Sequence, residues 1–130
     1  MKKLGEGWFL VMLLAALMLA QMAAAFDPPV FPVGTYSRVV GPITYVMEVM
    51  ADGAYRINVH DALYVEGRYV ASPEAIILTD ASGPGACLFP RDPRGIYRWQ
   101  LYKDELTFAT VADPCKERQV MLTGTPWLRR

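Results

Sequence analysis

The stretch "ITYVMEVMADGAYRINVH", residues 43–60, decides how the rest of the chain is read. Two runs of alternating polarity flank Ala51-Asp52-Gly53. Successive side chains of a strand point to opposite faces. Tyr45, Met47 and Val49 therefore share one face of the first run, and Tyr55, Ile57 and Val59 share one face of the second. Asp-Gly tolerates the positive φ of a tight hairpin turn. The stretch is expected to form an antiparallel β-hairpin with one bulky apolar face.

The same pattern continues outward in both directions. "TYSRVV" (35–40) precedes the hairpin and ends at Gly41-Pro42. "LYVEGRYVA" (63–71) follows it, closes at Ser72-Pro73-Glu74, and leads into "AIILTD" (75–80). "IYRWQLY" (96–102) and "LTFATV" (106–111) make another hairpin across Lys103-Asp104. "DPCKER" (113–118) reads as a corner with one helical turn, Asp113 as N-cap and Pro114 at the first helical position. "QVMLTG" (119–124) then reads as the last strand, ahead of Thr125-Pro126-Trp127. Short alternating runs separated by regular turn signals indicate a sandwich or barrel. Eight strands with mostly short links predict an all-β fold, a single eight-stranded antiparallel up-and-down barrel over residues 34–130. The one long connection, residues 81–95, holds more proline and glycine than a hairpin needs and reads as a lid or a binding loop.

A glycine two residues ahead of a tyrosine recurs four times, at Gly34/Tyr36, Gly53/Tyr55, Gly67/Tyr69 and Gly95/Tyr97. Glycine permits the bends and bulges that a small closed sheet needs. On the same face as the ring, it also leaves room for that ring to lie along the wall. Each strand offers a bulky face to a common interior, which would carry Tyr45, Tyr55, Tyr69, Tyr97, Trp99 and Phe108.

Residues 1–25 are expected to be a signal peptide with a helical apolar core. Lys2 and Lys3 open it, "WFLVMLLAALMLA" (8–20) is its apolar run, and Ala23 and Ala25 stand at the small positions before a cut ahead of Phe26. The run is shorter than the roughly 20 apolar residues that a spanning helix needs. Cleavage, no stable membrane insertion, and a secreted or periplasmic location follow as expectations. Residues 26–33 form a proline-rich lead-in to one domain. Beyond the leader, 11 Lys and Arg (13 less two) face 12 Asp and Glu (13 less one). That balance gives no electrostatic case for nucleic acid. Cys87 and Cys115 are the two cysteines, and in an exported chain they are expected to pair.

Reactive chemistry is sparse. There is no G-x-S-x-G elbow, and the single histidine, His60, falls on the polar face with Arg56 and Asn58. The turn aspartates Asp52, Asp80 and Asp104 follow no calcium-loop spacing. Neither a metal, a cofactor nor catalysis is expected. Arg118, three residues after Cys115, is expected to cover one barrel end by stacking on Tyr36 or Trp127. Arg91, Asp92 and Arg94 in the long loop are the candidates for contact with a partner.

Taken together, "GTY", "DGAYRI", "VEGRY", "ILTD", "GIYRWQL", "DELTF", "VADPCKER" and "LTGTPW" resemble a lipocalin-like (calycin-type) β-barrel domain of small secreted bacterial proteins. The resemblance spans nearly the whole mature chain and centres on Asp113, Cys115, Arg118, Leu122 and Trp127. Gly34-Thr35-Tyr36 stands where lipocalins place a glycine-x-tryptophan packed against a late arginine. The resemblance implies that Tyr36 replaces that tryptophan with Arg118 as its partner. It also implies binding of a small apolar or amphipathic ligand, without catalysis. The other expectation is a monomeric interaction module, such as a lysozyme or protease inhibitor, acting on a secreted or envelope protein through the 81–95 loop.

Overall fold

The computed structural model describes residues 30–89 and 93–130. The expected leader, residues 26–29 of the lead-in, and the loop residues Arg91 and Asp92 lie outside the described residues. Strands β1 (Gly34–Val40), β2 (Ile43–Val49), β3 (Ala54–Val59), β4 (Ala62–Ala71), β5 (Ala75–Ser82), β6 (Gly95–Tyr102) and β7 (Glu105–Ala112) follow one another. Helix α1 (Lys116–Leu122) and strand β8 (Trp127–Arg129) complete the chain. The eight strands close into one barrel in chain order, each antiparallel to its neighbours. The opening hairpin pairs Tyr45 with Val59, Met47 with Ile57 and Val49 with Tyr55, so the bulky residues do share a face.

Two tight turns use residues other than glycine. His60-Asp61 joins β3 to β4, and Lys103-Asp104 joins β6 to β7, all four at positive φ. A two-residue hairpin of type I′ needs that conformation at both positions, because its twist then matches the strands. His60 belongs to a turn and is exposed, a little past the strand face on which the sequence pattern sets it.

The C-terminal region departs from expectation. Residues 119–124 do not form the last strand. Lys116–Leu122 is helical with Cys115 as its N-cap, and the eighth strand is Trp127–Arg129. Short apolar runs are ambiguous between strand and helix, and here packing decides. Arg118, Met121 and Leu122 are buried, spaced i, i+3 and i+4, so helical periodicity turns all three inward. Strand periodicity would separate Met121 from Leu122.

Hairpin turns alternate between the two ends of such a barrel, which therefore differ. One end carries the β1–β2 and β3–β4 turns, the long loop and α1. The other carries the β2–β3, β4–β5 and β6–β7 turns, and there Phe31 of the lead-in is buried against the core. Its ring packs on Tyr69, Trp99 and Phe108, with centroids at 5.8, 5.1 and 6.4 Å. Chain segments outside the sheet thus stop both ends.

The repeated glycines play different roles. Gly67 lies opposite Tyr55 in the β3–β4 ladder. A Cβ on it would come within 2.2 Å of the Thr79 carbonyl oxygen and 2.7 Å of the Tyr55 hydroxyl. It makes room for Tyr55 on the next strand, not for Tyr69 two residues on. Gly95 backs directly onto Tyr97, where a Cβ would meet Cε2 of the ring at 2.8 Å. Because the obstacle at Gly67 is backbone, Gly67→Ala is expected to lower stability by at least about 2 kcal/mol, as overpacking does. Urea denaturation would measure it.

Candidate functional site

The barrel interior is filled. Tyr55, Ile57, Ile76, Leu78 and Phe108 from the wall, Met121 and Leu122 from α1, and Phe31 from the lead-in leave about 10 Å³ open. That is close to the least a single water needs. Of the residues expected to line a ligand cavity, Tyr55, Tyr97 and Phe108 are core, while Tyr45, Tyr69 and Trp99 are partly buried against it. Trp99 donates from its indole nitrogen to the Ser72 carbonyl at 2.9 Å, and Tyr69 donates to the Met50 carbonyl. The six rings are brought together, but as packing.

Arg118 is buried, yet it stacks on neither Tyr36 nor Trp127. Its Nε and Nη2 reach Asp113 at 2.7 and 2.8 Å, and its Nη2 also donates to the Pro93 carbonyl. Nη1 faces Asp80 at 3.4 Å without a hydrogen bond. A planar fork with five donors suits two carboxylates better than a ring face. Other cations take the rings: Arg38 lies over Trp127 at 6.0 Å and Arg129 over Tyr36 at 5.9 Å. Arg38 also donates to the carbonyls of Val120 and Met121, near the C-terminus of α1, where free carbonyls favour a cation.

Two carboxylates against one guanidinium leave a formal excess negative charge in a dry place. Neutral donors offset it. Asp80 accepts from the Tyr55 hydroxyl and from the Cys87 amide at 2.8 Å. Asp113 accepts from the Tyr97 hydroxyl and from the Cys115 amide at 2.8 Å. Hydrogen bonds to the charged form favour it. Burial alone would raise the Asp113 pKa, but the hydrogen bonds from Arg118, Tyr97 and Cys115 win and hold it below its ordinary value. Burial pushes Tyr55 and Tyr97 up, and the neighbouring carboxylates push them further. Asp113 is not the helix N-cap that the sequence suggests; its carboxylate closes a turn onto Cys115 and anchors the helix through Arg118.

The disulfide between Cys87 and Cys115 joins the long loop to the start of α1 beside this cluster. Closing a loop of that size stabilises by about 3 to 4 kcal/mol on the chain-entropy model. Three elements converge here: the loop through Cys87 and Pro93, the helix through Arg118, and the wall through Asp80, Tyr55 and Tyr97.

Outside the cluster the surface carries apolar side chains beside Lys116 and Glu117. Two adjoining depressions of about 340 and 360 Å³ share Tyr64 and Glu117. Val40, Tyr45 and Val120 line the first; Leu88, Phe89 and the two cysteines line the second. Phe89 is 87% exposed and Val120 72%. Arg94 is exposed just ahead of β6.

Sequence reasoning missed Phe31, Asp80, Asp113 as an ion-pair partner, and Phe89. Only Asp80 left a clear signal. It follows Ile76 and Leu78 at a period of two, a carboxylate on an apolar face.

No family model, curated protein or solved structure matches the chain.

Asp113 has a lower pKa folded than unfolded, so its contribution is complete above about pH 4, where the unfolded carboxyl is ionised. It is lost as pH falls through the folded value. The melting temperature should therefore drop on acidification below about pH 4. Asp113→Asn should cost about 3 to 5 kcal/mol at neutral pH, the effect of stripping a partner from a buried charge, and should flatten that acid limb. Thermal melts across pH for both proteins provide the comparison.

Proposed function

We propose that the protein is an exported interaction module that engages another secreted or envelope protein through its helix-capped end. The observation that carries this reading is Phe89. Its ring is held almost fully in water two residues after a cysteine whose disulfide and amide hydrogen bond fix the stem of the loop. Exposed apolar surface beside a rigid scaffold marks contact sites. Leu88 of the loop borders the same depression as Phe89, and Val40 of β1 and Val120 of α1 border the adjoining one.

Carriage of a small apolar ligand, the function that the lipocalin-like resemblance implies, draws no support from an interior with about 10 Å³ open. Membership of that family is itself part of the proposal, resting on the residue pattern and on an eight-stranded barrel. Export rests on the leader-like start and on a disulfide, which persists in oxidising compartments. Exported lysozymes and proteases are the partner class, by analogy between folds.

The test is inhibition of a panel of lysozymes and extracellular proteases by the oxidised mature chain, beside a Phe89→Ser variant. Stoichiometric inhibition of at least one enzyme is expected. The variant should weaken it roughly 30-fold or more, as truncating a hot-spot ring does, with an unchanged melting temperature. Inhibition of none, or full potency in the variant, would remove the proposal.

A further inference from the structure

Among the described residues, Phe31 is the one buried aromatic that neither a strand nor the helix supplies. It arrives on a segment that pairs with no strand, since β1 begins only at Gly34. The ring fills a slot between Tyr69, Trp99 and Phe108 at the end of the barrel away from α1. Two side chains grip the backbone that follows. The Tyr36 hydroxyl donates to the Pro32 carbonyl at 2.6 Å, and Arg129 Nη2 donates to the Val33 carbonyl at 3.1 Å. Pro32 has no N–H to satisfy, which suits a docked segment without a ladder partner. The neighbours Val30 and Val33 stay exposed, at 85% and 42%.

This is how an extended peptide ligand is held: one ring in a pocket, successive carbonyls met by fixed donors, flanking residues in water. Beside Val30, Phe31 and Val33 lies a depression of about 490 Å³ that also includes Ala51, Tyr69, Ala71 and Pro73.

We propose that the barrel mouth is a peptide-recognition slot, which the chain's own lead-in occupies in cis. Its ligand is an extended segment with an aromatic side chain followed by two free carbonyls, the first on a proline. Such a segment in trans competes with Phe31. A tethered competitor acts at millimolar effective concentration, so the intact protein binds the free segment weakly, and loss of the Phe31 ring unmasks the slot. The site lies at the other end of the barrel from Phe89 and does not depend on the interaction proposed there.

The test uses the oxidised mature chain and the synthetic peptide DPPVFPVGT, residues 27–35 of this sequence. Phe31→Ala should bind the peptide roughly 10- to 100-fold more tightly than the wild type does, as millimolar tethering requires of a segment whose own Kd is about 10 to 100 μM. Calorimetry and tryptophan fluorescence, which Trp99 reports, give the affinities. A peptide carrying alanine for its phenylalanine should not bind. Phe31→Val, which keeps an apolar side chain, replaces the alanine variant if circular dichroism shows that variant unfolded. Phe89→Ser should leave peptide affinity unchanged. Absence of binding to a folded Phe31 variant, or equal affinity for variant and wild type, overturns the proposal.

Discussion

An eight-stranded barrel has an interior just wide enough that side chains must fill it or a ligand must. Every other feature of this molecule follows from the first alternative. The walls contribute tyrosines and aliphatic side chains, but a ring of strands is open at both ends. Met121 and Leu122 of α1 stop one end and Phe31 stops the other. Helix and lead-in thus do the work that a carrier's cargo does.

The helix could not cap its end on apolar contacts alone. It has seven residues, no side-chain cap, and no basic residue in its last turn, too little for a helix of that length to persist on its own. Arg118 ties it to Asp113 and faces Asp80, the disulfide ties its N-terminus to the loop, and Arg38 meets its last carbonyls. Loop, helix and wall share these fastenings. A buried ion cluster of this kind does not raise stability over an apolar core; it selects one arrangement, because a displaced helix would strand a charge in a dry interior.

The strands were legible because their signals are local. Asp52-Gly53 and the alternation around it state a hairpin outright, and the structure pairs Met47 with Ile57 as that alternation requires. The region after Cys115 was not legible as a strand or a helix from its own residues. Val120, Met121 and Leu122 fit either period, and packing decides: the helix buries Arg118, Met121 and Leu122 together and sets Arg118 against Asp80 on β5. The recurring glycine and tyrosine misled in a related way. Gly67 serves the ring of the neighbouring strand, a relation fixed by register across the sheet and not by spacing along the chain. Phe31 carried no periodic signal, because a plug belongs to no element.

The barrel is closed by its shortest strand. β8 has three residues and meets β1 through Tyr36–Arg129 and Ser37–Leu128, whereas β6 and β7 pair along nearly their whole lengths. Most other neighbouring strands are also neighbours in sequence, so their pairing needs little chain diffusion. The final seam joins the first strand to the last, about 90 residues apart, and contacts so remote in sequence are the slow ones to form. A meander of hairpins can assemble locally before Trp127 enters the core, so ring closure is expected to be the slow step of folding.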